Sequence, residues 1–273
     1  MGLTYLVAGA AAVGTWLALQ DNPIFAVLTA DLVATCIVFG ASRLANNSSL
    51  YDPYWSVVPP VIAVAWWGDG DFGRQLVATI AVFAWAIRLT WNWASGWTGL
   101  KHEDWRYVEL RGRHSDRYWA VSFGGIHLFP TVQVFLGCLP LWPILNATQG
   151  YGIEDALALL VLYGAVALEG TADWQLRRFL RKKGRKPFCD EGLWAWCRHP
   201  NYLGEMGFWW GLYLLALAAD PTWWWAGIGA LSITVMFVFV SAPWLDTRNL
   251  ARRPGYATYV LRTFSLIPWP PSR

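Results

Sequence analysis

Charge is scarce in this sequence. Only 14% of its 273 residues are Asp, Glu, Lys or Arg, against roughly a quarter in a soluble domain, which excludes water as its main solvent. Paired cysteines are lacking as well: Cys36, Cys138, Cys189 and Cys197 form neither a disulfide framework nor a CxxC metal knuckle. His102, His114 and His127 have no HxxxH or HxxE spacing, and His199 stands beside Arg198 and Pro200, so no metal site is read. A GxGxxG fingerprint, internal repeats and low-complexity segments are also absent.

What is abundant is apolar. Hydrophobic residues make up 56% of the chain, including 21 Trp, and amphipathic indoles settle at membrane interfaces or line apolar cavities. Apolar stretches at about residues 3–19, 24–44, 55–67, 76–97, 118–145, 155–172, 203–219 and 222–244 approach the about 20 residues that cross a bilayer. They predict an all-α, polytopic transmembrane bundle of seven or eight helices in one integral domain over 1–273. The first run lacks a basic n-region and continues into a second, which favours a membrane helix over a signal peptide. Pro130, Pro140 and Pro143 interrupt the fifth stretch and predict a kink or break there.

The connections alternate in charge. One loop carries Lys101, Arg106, Arg111, Arg113 and Arg117; a second runs from Arg177, Arg178 and Arg181 through Lys182, Lys183, Arg185 and Lys186 to Arg198; the tail has Arg248, Arg252, Arg253, Arg262 and Arg273. The short loops at 68–73, 146–154 and 220–221 have no Lys or Arg. The positive-inside rule then puts the basic segments in the cytoplasm, and a multi-pass protein, of a bacterial inner membrane, is expected. Basic loops also meet anionic lipid head groups. These loops, however, interleave acids and aromatics: Glu103, Asp104 and Tyr107; Asp173, Asp190, Glu191, Asn201, Tyr202 and Glu205; Asp246 and Tyr259. A polyphosphate pocket uses arginines for bidentate contacts and acids or amides to orient them.

The most specific segment is Arg198-His199-Pro200-Asn201-Tyr202-Leu203-Gly204-Glu205. Pro200 suits the start of a helix, which would set Asn201 and Glu205 one turn apart on one face; alternatively, Asn201 is a helix cap and Glu205 is solvated. The segment resembles the RHPNYxGE signature of the steroid 5α-reductase and DUF1295 family. Further resemblance lies in Arg88-Leu89, Glu103-Asp104-Trp105-Arg106-Tyr107, the stretch from Asp173 to Arg177, Arg181 and Gly184, and the closing Asp246-Thr247-Arg248, Tyr256, Tyr259, Arg262 and Ile267-Pro268, and it covers residues 48–268.

The resemblance implies a helix bundle with an NADPH cavity open to the cytoplasm and a lipid-like enone, such as a 3-oxo-Δ4 steroid, as substrate. It implies cofactor contacts at Arg88, Arg106, Asp173, Arg177, Arg181, Asn201, Tyr202, Glu205, Arg248 and Arg262, to which the interleaved residues add His199, Asp246 and Tyr259. So much positive charge favours NADP over NAD. Membrane lipids are expected partners; nucleic acid is not.

Reducing an enone C=C needs hydride at the β-carbon and a donor at the carbonyl oxygen, where negative charge develops. Candidates are Asp52, Tyr54 and Tyr51, where an acid and two tyrosines enter an apolar helix; Asp52 also reads as a helix cap before Pro53. The family's second catalytic group, a tyrosine, aligns with Trp85, an indole that cannot protonate an oxygen. Asp31, inside the second apolar run, has no partner legible in sequence. Isoprenylcysteine and phospholipid methyltransferases share a related RHPxYxG segment, making a membrane enzyme that uses S-adenosylmethionine the nearest rival. A transporter or structural membrane protein is a third class; it explains the helices but not the acids and amides among the arginines.

Overall fold

The computed structural model describes residues 1–270, so Arg273 of the basic tail lies outside the described residues. The protein is all-α; among the described residues the one extended pairing is an isolated bridge between Cys197 and Phe264. The chain falls into two compact units, Met1–Asn146 and Ala147–Arg273. Among the described residues five helical stretches are long and apolar enough to cross a membrane: Pro23–Leu44, Phe72–Gly96, Trp105–Cys138, Ile153–Leu180 and Pro221–Arg252, with Gly2–Ala18 a shorter apolar helix. Leu3, Leu6 and Leu17 of that helix, and Leu160 and Phe239 farther on, are exposed, as suits faces turned to hydrocarbon.

The first unit contains α1 (Gly2–Ala18), α2 (Pro23–Leu44), α3 (Tyr54–Ala65), α4 (Phe72–Gly96), α5 (Trp105–His114), α6 (Tyr118–Val121), α7 (Phe129–Cys138) and α8 (Leu141–Asn146). Asn22, Asp71 and Asp104 cap α2, α4 and α5, each accepting from a first-turn N–H. The basic segment at 101–117, expected as a loop, forms α5 instead; its residues are too polar to show an apolar run.

The long fifth stretch is interrupted at its prolines. Residues Ser122–Leu128 form a π-helical turn just before Pro130, and the helix stops at Leu139 before Pro140. Proline has no N–H to give to the carbonyl four residues back, and its ring crowds that carbonyl, so the preceding turn widens. The second unit repeats the device: a π turn at Phe237–Ser241 precedes Pro243.

That second unit contains α9 (Ile153–Leu180), α10 (Leu193–Trp196), α11 (Pro200–Ala219), α12 (Gly227–Met236), α13 (Ala242–Arg252) and α14 (Tyr256–Arg262). Helices α9 and α11 pack backbone to backbone. A Cβ built on Gly211 would stand 2.6 Å from Leu162 Cα, and one on Gly204 would stand 2.6 Å from Glu169 Cβ and 2.9 Å from its N. Small residues let membrane helices approach this closely. We expect Gly211→Ala to cost about 1–3 kcal/mol, as overpacked cores do, and to lower the melting temperature in detergent. Gly9→Ala on α1, where nothing lies within 4 Å of the added carbon, should leave it unchanged.

Candidate functional site

The turn between α2 and α3 is built from short polar side chains. Asn47 donates from Nδ2 to the carbonyls of Leu100 and His102, both at 2.8 Å, and the Asp104 N–H donates to Ser49 Oγ at 2.8 Å. Behind it the hydroxyls form buried pairs: Ser48 with Tyr118 at 2.7 Å, Tyr51 with Thr131 at 2.7 Å, and Thr131 with Thr35 at 2.8 Å. His127, in the π turn, bonds Ser42 Oγ from Nε2 at 3.1 Å. Buried polar groups need partners, and here the protein itself supplies them.

This scaffold sets the wall of a cavity of about 990 Å³ lined by α1 to α4. The wall is almost wholly aliphatic and aromatic; its polar members include Asp31, Tyr54, Ser56 and Thr90. Tyr54 donates its hydroxyl to Asp31 Oδ1 at 2.6 Å, and Tyr51 stacks on the Tyr54 ring with centroids 5.1 Å apart. Ser56 and Thr90 share a hydrogen bond of 2.8 Å. Trp85 is fully buried, edge-on to Trp55.

The three residues expected to be catalytic are thus placed differently. Tyr54 lines the cavity; Tyr51 is buried behind it; Asp52 is half-buried and accepts from Tyr107 Oη of α5 at 2.7 Å. Asp52 does not cap α3, since Pro53 occupies that place and no side chain caps the helix. Burial pushes the Asp52 carboxyl up to about 6, against the Tyr107 hydrogen bond and the charge of Arg106, which favour its ionised form. Arg106 is exposed and paired with Asp104 at 2.8 Å, and Arg88 is half-buried on α4.

In the second unit the RHP segment is tied to the tail through one carboxylate. Asp246 on α13 accepts from Arg198 Nη2 at 2.8 Å and Tyr256 Oη at 2.6 Å, and its Oδ1 lies 3.0 Å from His199 Nε2. Arg198 also donates to the Thr263 carbonyl, and Tyr259 donates its hydroxyl to the Trp194 carbonyl. Three of the expected cofactor contacts, His199, Asp246 and Tyr259, therefore bind protein groups that fix where α11 starts. The His199 ring stacks on Tyr202 at 5.2 Å, and Tyr202 packs on Phe237 at 4.7 Å. No side chain caps α11, so Asn201 is not its cap; Glu205 is buried and accepts from Trp209 Nε1 at 2.9 Å. Asp173 is buried and Arg177 half-buried one turn along α9, Arg248 is half-buried on α13, and Arg181 and Arg262 are exposed at the ends of α9 and α14.

Exposed guanidinium groups with an uncapped helix start form a donor set that fits phosphate oxygens. Sequence reasoning missed the pairing of Asp31 with Tyr54. An acid within an apolar run was the available signal; its partner, 23 residues away on another helix, was not.

A family profile described as "Protein of unknown function (DUF1295)" matches residues 38–263. Among curated proteins, "Uncharacterized protein C594.04c" of Schizosaccharomyces pombe is 23% identical over 231 residues, covering 74% of this chain and 67% of its own length. No solved structure matches.

Two outcomes follow from the geometry. Because the folded carboxyl of Asp52 titrates near 6 rather than 3.8, the native state holds its proton more tightly than the unfolded chain. Its contribution to stability is present at low pH and lost as pH rises through 6. Asp52→Asn, which keeps an acceptor for Tyr107, should gain about 1–3 kcal/mol on the parent between pH 4.5 and 7.5; melting curves at the two pH values check this, and a pH-independent difference contradicts it. Asp246→Ala strips Arg198, whose side chain is 10% exposed, of its counter-charge and should cost about 2–4 kcal/mol, whereas Tyr256→Phe should cost about 1 kcal/mol.

Proposed function

This chain belongs to the DUF1295 family, and we propose that it is an NADPH-dependent ene-reductase acting on a 3-oxo-Δ4 steroid or a similar flat, lipid-like enone. The family includes steroid 5α-reductase-like proteins. The observation that carries the reading is the apolar cavity of about 990 Å³ with the Tyr54 phenol on its wall, at the upper end of the roughly 300–1,000 Å³ of small-molecule sites. Such a wall suits a rigid hydrocarbon body; a phenol suits one oxygen function.

Bound NADPH supplies the hydride. In the second unit Arg177, Arg181, Arg248 and Arg262 would hold its phosphates, with Asn201 and Tyr202 at the uncapped start of α11 as further hydrogen-bonding groups. In the first unit the developing enolate oxygen would sit at the Tyr54 end of the cavity; the phenol already donates to Asp31 Oδ1, so Tyr54 acts there through the group it bonds, and a positioned donor lowers the barrier. Asp52, which lies outside the cavity lining and accepts from Tyr107 of α5, is the second candidate, since its carboxyl is pushed up to about 6 and keeps part of its protons close to neutrality. A methyltransferase would place cationic S-adenosylmethionine among these arginines, an unfavourable match of charge.

The test is ligand stabilisation followed by turnover in detergent. NADPH should raise the melting temperature more than NADH, and S-adenosylmethionine should not raise it. Tyr54→Phe should lower enone turnover by about a hundredfold, the usual loss for one such donor, with NADPH stabilisation intact. Arg262→Ala should instead weaken NADPH. Stabilisation by S-adenosylmethionine alone, or full turnover in both Tyr54→Phe and Asp52→Asn, overturns the reading.

A further inference from the structure

The Tyr54 hydroxyl does not stand alone at the cavity wall. Its proton is directed at Oδ1 of Asp31, which lies within the 22-residue apolar helix α2. The Asp31 side chain is 6% exposed and lines the same cavity, and its second oxygen, Oδ2, is buried with no hydrogen-bond partner. An acid in an apolar span is costly and is kept where it works. Were the carboxyl only a tie between α2 and α3, an amide or hydroxyl accepting from Tyr54 would serve at lower cost. The unfilled oxygen is the feature that such a tie leaves unexplained.

We propose that Asp31 is the residue that recognises the oxygen function of the lipid, donating a hydrogen bond from Oδ2 to a ketone carbonyl. This deepens the enone reading and rests on it for the identity of the substrate. The chain of bonds runs from the Tyr54 hydroxyl to Oδ1 and from protonated Oδ2 to the carbonyl oxygen; each bond polarises the next, and the phenol fixes the carboxyl plane. Ser56 bonds the Pro53 carbonyl at 3.0 Å and Thr90 at 2.8 Å, and the lining Tyr5 donates to the Leu50 carbonyl at 2.9 Å, which leaves the Asp31 and Tyr54 pair, with its unfilled oxygen, as the polar anchor of the wall. The carboxyl contacts the ligand directly, and Tyr54 acts on the carbonyl through it.

Equilibrium binding without cofactor tests this, so a protein that binds but does not reduce still reports on Asp31. The probes are a 4-en-3-one steroid and its 3-deoxo counterpart, titrated into detergent-solubilised protein against tryptophan fluorescence. The parent should prefer the ketone by tenfold or more. Asp31→Leu should abolish that preference with the deoxo affinity unchanged. Asp31→Asn should keep it within about threefold, because its amide accepts from Tyr54 at Oδ1 and donates from the position of Oδ2. An undiminished preference in Asp31→Leu overturns the proposal. If that variant does not fold, the isosteric Asn variant decides, and loss of ketone preference there overturns the donor role. Ketone selectivity through Asp31 with no NADPH oxidation would leave the anchor standing and remove the reductase reading.

Discussion

Polar groups placed in hydrocarbon must find partners within the protein, and the structure follows from how each one does. Hydroxyls of Ser48, Tyr51, Thr35 and Thr131 pair side by side, Gln75 donates to the Gly68 and Leu145 carbonyls, and His127 bonds Ser42 and Ser122. Pro130 and Pro243, which remove an N–H, are each preceded by a π turn that widens the helix without ending it. Among the described residues the Thr79 hydroxyl and Oδ2 of Asp31 are buried without a hydrogen-bond partner, and Asp31 also lines the cavity.

Each unit meets the constraint in its own way. In the first, the polar groups form a layer beneath an apolar cavity, so the wall offers a ligand little but surface and one anchor. In the second, one carboxylate, Asp246, gathers Arg198, His199 and Tyr256 and so fixes the start of α11. Residues in a basic loop are thereby divided between those that hold the fold and those left facing solvent, such as Arg181 and Arg262. The α9 and α11 contact, closed by Gly204 and Gly211, keeps Asp173 and Glu205 on helices packed against one another.

Much of the fold was legible because apolar length and proline are local signals. The helices at Gly2–Ala18, Pro23–Leu44 and Phe72–Gly96 fall close to their apolar runs, and the break at Pro140 was visible in the residue itself. Helix α5 was not legible, since Trp105–His114 has the composition of a charged loop. Of the candidate site, the residue types were readable but their partners were not. Asp52 read as a cap because Pro53 follows it, yet its partner is Tyr107, 55 residues on. Asp31 read as solitary because Tyr54 meets it only after two helices fold together. Asp246 and Tyr259 were expected among the cofactor contacts as groups that orient arginines; their bonds to Arg198, His199, Tyr256 and the Trp194 carbonyl join residues far apart in sequence and were not readable there.

Delivery of a hydride to the β-carbon of an enone is the central proposed step, and isotope transfer tests it most directly. Purified protein supplied with NADPH deuterated at the transferable position and a 4-en-3-one steroid should yield the saturated ketone with one deuterium on the former β-carbon, in equal amount to the cofactor oxidised. Unchanged enone with no cofactor oxidised, or a methylated lipid formed from S-adenosylmethionine, would contradict it.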